Sequence, residues 1–305
     1  MNRKLIKQGG GGFTIYLPKK WIDHKGLKAG DPVDVKEAGT LLTIDAPSQE
    51  KKEVTIELDQ NNRKELKNML THIYRQGADT IIINNTDQDI MNQLKGYATL
   101  LLGFEITETG KQCRLENISE PTQEKHEILV RRIFLIIKET HQLIADDFKE
   151  GLFKSAKAIE DLREQQDKYV LFCRRVLTKQ KIETTHPELE WELLTFLMHI
   201  EHAYAYLYGY AAKNKVKKDE KINSLLKSLG EYFQLFYDAY YQKDISKVHE
   251  INKLKSEYQF GRCYEYLSGA KGKEAVIFSL IRELFRLIQI GTSPILSAYF
   301  EKAPY

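Results

Sequence analysis

The sequence predicts a multidomain α+β chain: a small β module over residues 1–48, a small α/β domain over 49–118 and an all-α domain of six helices over 119–305. Three observations carry this reading. Short alternating runs separated by glycines fill the first 45 residues, which is the pattern of tight hairpins. Strand-like and helix-like segments then alternate as far as residue 118. Beyond that point apolar residues recur at helical spacing with only short breaks, so the chain packs as antiparallel helices.

In the first region Lys4-Leu5-Ile6-Lys7 alternates, Gly9 to Gly12 break the chain, and Phe13-Thr14-Ile15-Tyr16-Leu17 alternates again. Pro18 opens a short helix over Lys19 to His24, where its missing N–H costs nothing. Gly26 ends that helix, Gly30-Asp31 turns the chain, and Val33 to Glu37 with Leu41 to Asp45 form a second hairpin through Ala38-Gly39. About 45 residues bury too little apolar surface to stand alone, so this module is expected to dimerise or lean on a neighbour.

In the second region Val54 to Leu58 reads as a strand and Asn61 to Gln76 as a helix stopped by Gly77. Thr80-Ile81-Ile82-Ile83 is an apolar, β-branched run of the kind found in buried strands. Gln88 to Leu102 reads as a second helix, and Phe104 to Thr107 with Gln112 to Asn117 close a small sheet. The six later helices are placed at 122–149, 153–180, 187–213, 216–242, 244–267 and 272–302, in two halves of three with matching lengths.

Composition narrows the function classes. Apolar residues make up 42% and charged residues 29%, as in a soluble chain with an ordinary core. A formal net charge of +3 does not announce a nucleic-acid binder, so any such reading rests on a local basic patch. Three scattered cysteines without a CxxC pair fit a reducing cytoplasm. No signal peptide is visible, and the most apolar stretch, Leu193 to Ala212, carries His199, Glu201 and His202 at its centre, so no membrane insertion is expected.

The basic set is Arg3, Lys4, Lys7, Lys19 and Lys20. Period-two alternation puts Arg3 and Lys7 on one strand face, while Lys19 and Lys20 open the helix after the second strand. Dimerisation would bring about ten cations to one surface, where each phosphate contact adds salt-sensitive affinity. The plain alternative is a solvated hairpin, because Asp23, Asp31, Asp34 and Glu37 nearly balance the module. The glycine run lacks the Lys-Ser/Thr and the helix start of a phosphate loop. On the second long helix, Glu160, Glu164 and Asp167 fall at i, i+4 and i+7, a spacing that ligates Mg, Ca, Mn or Fe. The same spacing decorates solvated helix faces, and Arg163 and Lys168 stand beside it. The tyrosines at 204–210 and 232–241 read as bundle packing with hydroxyls at the rim. No nucleophile and base stand at a recognisable spacing, so no enzymatic activity is expected.

The run Leu17-Pro18-Lys19-Lys20-Trp21, followed by Gly26-Leu27-Lys28-Ala29-Gly30-Asp31-Pro32-Val33, resembles the AbrB/MazE/SpoVT swapped-hairpin DNA-binding domains. The resemblance implies an intertwined homodimer whose basic hairpins contact DNA. Many relatives carry serine where this chain has glycine before Phe13. With the α/β segment and the two three-helix bundles that follow, the whole order resembles archaeal PhoU-like phosphate uptake regulators. That implies a divalent or trivalent metal ion held by acidic motifs on the helices, here represented by Glu160, Glu164 and Asp167. The third helix departs from the pattern, with Glu201-His202-Ala203-Tyr204-Ala205 where relatives tend to show Glu-Arg-Ile-x-Asp. The implied function is a cytoplasmic DNA-binding transcriptional regulator of phosphate uptake or related transport. Its helical domain would sense a signal or contact a transporter or signalling protein. The competing expectation is an adaptor that regulates a membrane transporter through its helical bundle, with the first module serving dimerisation alone.

Overall fold

The computed structural model describes residues 2–38, 41–46, 51–119, 122–179 and 186–301. The Ala38-Gly39 connection and the expected helix ends at 180 and 302 reach beyond these residues. The protein is a mixed α+β chain with small sheets and a helical C-terminal region, in two compact units, 1–51 and 52–305.

The first unit pairs β1 (Ile6–Gln8) with β2 (Gly12–Thr14) and β3 (Asp34–Ala38) with β4 (Leu41–Asp45), both antiparallel, with α1 (Lys19–His24) between the hairpins. In the first hairpin Ile6 faces Thr14 and Lys7 faces Phe13. Gly9 and Gly11 turn it with φ of +61° and +135°, conformations that a side chain disfavours. Gly26, at φ +66°, ends α1, and the Asp31 carboxylate accepts from the Lys28 amide at 2.6 Å to fix the next turn. The first ladder is shorter than the alternation predicts: residues 2–5 and 15–17 lie outside it. A strand exists only where its N–H and C=O groups find a partner, and one copy of the chain supplies three residues a side.

In the second unit a four-stranded sheet runs β5 (Glu53–Glu57), β6 (Thr80–Asn84), β8 (Gln112–Asn117), β7 (Phe104–Thr109). β5 and β6 are parallel, joined through a 3₁₀ turn (Arg63–Glu65) and α2 (Leu66–Arg75), and the other pairs are antiparallel. α3 (Gln88–Ala98) starts where the Asp87 carboxylate accepts from the Ile90 amide at 2.9 Å. Leu66, Leu70 and Tyr74 of α2, Ile90 and Leu94 of α3, and Ile81 and Ile83 of the buried strand form its core.

The helical part comprises α4 (Gln123–Glu150), α5 (Ala156–Thr178), α6 (Pro187–Lys213), α7 (Glu220–Gln242), α8 (Ile245–Glu257), a π-helical turn (Tyr258–Arg262), α9 (Cys263–Gly269), α10 (Lys273–Ile290) and α11 (Ser293–Glu301). α4, α5 and α6 pack on one another; α7, α8 and α10 do the same; α4 meets α7 and α6 meets α10. One core runs through all of them, with Phe134 at its aromatic centre, within 6.0 Å of Phe233, Phe236, Tyr237, Tyr240 and Tyr241. Two of the six expected helices are interrupted. The fifth carries the π turn, and the sixth breaks at Gly291-Thr292, where Pro294 withholds the N–H that would bond the Ile290 carbonyl. Among the described residues no helix is long and apolar enough to cross a membrane.

The α/β segment and the helices are joined through α5. Arg175, 1% exposed, donates to the Tyr74 carbonyl at 3.0 Å, the Ala78 carbonyl at 2.5 Å and the Asp79 carboxylate at 3.1 Å. Its guanidinium lies about 5 Å from the ring centres of Tyr74 and Phe104. Lys179 also pairs with Asp79.

Candidate functional site

Residues 1–22 contain five basic side chains and no acidic one. The structure leaves all five, Arg3, Lys4, Lys7, Lys19 and Lys20, exposed, and among the described residues none of them forms an ion pair. Lys7 sits on the hairpin face shared with Phe13; Lys19 and Lys20 form the first turn of α1, and among the described residues Asp23 of the same helix forms no ion pair with either. Arg3 and Lys4 precede the ladder, so the strand face that the alternation assigns jointly to Arg3 and Lys7 is not formed within one copy.

The same unit exposes apolar surface. Among its described residues none is buried; Phe13 is 63%, Tyr16 72% and Leu42 62% exposed, with Leu5, Ile6, Ile15 and Val35 open as well. Trp21, Ile22, Leu27, Val33 and Ile44 reach only half-burial. A domain needs a core that removes apolar area from water at roughly 25 cal/mol per Å² to offset chain entropy, and the described residues of this unit form none.

The three carboxylates on α5 do not converge on one point. Arg163 binds both Glu160 oxygens, at 2.6 and 3.1 Å, and stands 3.6 Å from Asp167. Asp167 also accepts a hydrogen bond from His202 Nε2 at 2.8 Å. The Arg163 hydrogen bond, opposed by burial, holds Glu160 below its usual range. Glu164 instead lines a cleft of about 620 Å³ with Glu139, Lys168 and Tyr169 of the helices and Leu100 and Leu102 of the α/β segment. Among the described residues no group of three or more His, Cys, Asp or Glu side chains is arranged to hold a metal ion. The helical spacing that groups the carboxylates also places Arg163 among them, where it satisfies Glu160 and Asp167 without a metal.

Three buried polar centres escape sequence reasoning. Asp147 accepts from the Tyr208 hydroxyl at 2.6 Å and from the Lys154 and Ser155 amides at 2.9 Å each, closing the turn from α4 to α5. Burial pushes its carboxyl up, but these three donors outweigh that and hold it below the usual range. Glu201 is fully buried; Thr140 donates to one of its oxygens at 2.6 Å, and the other has no partner. Burial raises it to about 8, so it is protonated at neutral pH. Tyr204, Tyr208 and Tyr232 are buried rather than at the rim, hydrogen bonded to His141, Asp147 and the Ile251 carbonyl. Only the clustering of polar residues within an apolar helix, as at His199-Ile200-Glu201-His202, signals such centres in a sequence.

Fold and site define an α+β protein in two units, the first a basic double hairpin without a core, the second an α/β segment fused to helices. The comparisons with known proteins found no matching family model, no matching curated protein and no matching solved structure.

Proposed function

We propose that the chain is a DNA-binding transcriptional regulator, of phosphate uptake or a related transport system, that grips duplex DNA through a homodimer of its first unit. The observation that carries this reading is the combination, in that unit, of five exposed cations that form no ion pair among the described residues with apolar side chains left open to water. Dimerisation covers the apolar surface, extends the three-residue ladders of β1 and β2 into longer ones, and doubles the basic set to about ten. Arg3, Lys4, Lys7, Lys19 and Lys20 then neutralise phosphates or reach base edges, as β-ribbons do in a groove. The swapped-hairpin resemblance of the run from Leu17 to Val33 supports the same reading.

The helical part, in two sets of three mutually packed helices, serves as the sensor and partner platform, in keeping with a PhoU-like arrangement. Neither a metal nor a catalytic group enters this reading.

The test is to replace Lys7, Lys19 and Lys20 by Glu. The triple variant loses duplex binding and keeps the dimer, as seen by mobility shift and sedimentation. Unchanged DNA binding by the variant contradicts the proposal. A dimeric protein that binds no duplex even at low salt makes the first unit a dimerisation device and favours the adaptor reading.

A further inference from the structure

The π-helical turn between α8 and α9 builds a second surface whose chemistry is independent of the DNA reading. Single π turns widen a helix locally and are frequent at functional sites. Here the turn buries Tyr258 and Gln259, whose side-chain amide donates to the Phe285 carbonyl at 3.3 Å, and leaves Phe260 46% exposed. Tyr264, 44% exposed, meets Phe260 edge to face with ring centres 5.6 Å apart. Arg282 of α10 lies over both rings, at 5.8 and 4.8 Å, and donates to the Tyr264 hydroxyl at 3.0 Å. Lys255 stands 5.7 Å from the Phe260 centre, and Arg262 is braced by the Ser224 and Ser228 hydroxyls at 2.7 and 2.9 Å.

Among the described residues none of these three cations forms an ion pair with a carboxylate. Glu283, whose charge reaches Arg282, is itself held by Arg286 through two 2.8 Å hydrogen bonds. Glu257 and Glu265 flank the site in sequence and pair with none of the three. The Arg282 Nε is moreover buried without a hydrogen-bond partner. The exposed side of α5 shows the contrasting arrangement, with Lys157 and Arg163 each paired to an acid on their own helix.

We infer that this surface docks an acidic segment of a partner protein, with its carboxylates on Lys255 and Arg282 and its apolar side chains against Phe260 and Tyr264. Aromatic residues and Arg are enriched at the cores of protein interfaces and dominate their binding energy. The rings and the guanidinium are already held by one another, so little side-chain freedom is lost on association. Cations stand over the ring faces, which favours carboxylates and aliphatic contact over the base stacking that single-stranded nucleic acid requires.

The probes are a synthetic peptide presenting Glu and Leu along one helix face, its Lys-for-Glu counterpart and a single-stranded DNA oligonucleotide, titrated against the full chain. The Glu peptide binds in preference to the other two, and Lys255→Glu with Arg282→Glu weakens it about tenfold or more. Reversal of Lys217 and Lys218, exposed elsewhere on the helical part, leaves it unchanged. If circular dichroism shows the double variant misfolded, Lys255→Glu alone and Phe260→Ser serve instead, each weakening the Glu peptide. Equal binding of the two peptides, preference for the oligonucleotide, an equal loss in the Lys217/Lys218 control or unchanged binding by the patch variants would overturn the inference. Each readout is separate from duplex binding by the first unit, so failure here leaves that reading standing, and the reverse.

Discussion

At the scale of single residues, the second unit depends on buried polar groups held by partners far away in sequence. Arg175 joins α5 to carbonyls and a carboxylate about a hundred residues earlier, and Asp79 receives it together with Lys179. Burial raises the Asp79 carboxyl, but the Lys179 hydrogen bond, the Lys52 amide and the Arg175 charge outweigh it and hold it below its usual range. Replacing Arg175 by Ala takes the donor from the Ala78 carbonyl, leaves the Tyr74 carbonyl with the Gly77 amide and removes a cation from Asp79, at a cost of about 3–5 kcal/mol in denaturant unfolding; Lys in its place recovers only part, lacking the planar fork. Asp79 and Asp147 are both depressed, so their stabilisation is complete above the unfolded carboxylate value near pH 4 and lost as pH falls through the folded values. Glu201 has the opposite sign. With its folded value near 8, it binds a proton that the unfolded chain releases above about pH 4, so its contribution falls as pH rises. Glu201→Gln therefore raises stability at pH 7 by roughly 2–4 kcal/mol and changes little below pH 4, which unfolding curves at the two pH values check. None of this was legible in the sequence. The Arg174-Arg175 pair reads as solvated charge beside an apolar stripe, and only the fold supplies Asp79.

At the scale of elements, periodicity located the helices and strands of the second unit well, because each buries one regular face. It missed the interruptions, which depend on single residues. Pro294 separates α11 from α10, and the π turn at 258–262 leaves the apolar spacing almost undisturbed. Close approach was equally hidden: a Cβ at Gly230 of α7 would lie 2.6 Å from His141 Nε2, whose ring is fixed by Tyr204. Gly230→Ala is thus expected to destabilise by about 1–3 kcal/mol despite Ala's better helix propensity, a sign that thermal unfolding reads directly. In the first unit the glycine turn of the first hairpin and α1 were legible from spacing, proline and glycines. The strand lengths were not, since the alternation of Phe13 to Leu17 describes a longer ladder than the three residues a side that pair. Phe13→Asp, on the face shared with Lys7, places a charge in the proposed association surface and is expected to shift the protein to monomer in sedimentation without altering the helical signal.

At the scale of the whole molecule, the two units differ in kind. The second has two contiguous cores bridged by Arg175, so its α/β segment and helices are expected to melt as one transition that Arg175→Ala splits in two. The described residues of the first unit form no core, so on the proposed dimer its unfolding should depend on protein concentration. The central claim is that this association makes a basic grip for duplex DNA. The most direct test is the affinity of the full chain for duplex DNA across a salt series, beside the variant with Lys7, Lys19 and Lys20 changed to Glu. Log affinity should fall with log salt at a slope of several counterions, about −0.9 per phosphate contact, and the variant should lose most of that slope with its affinity. Equal slopes and affinities for the two proteins would contradict the account.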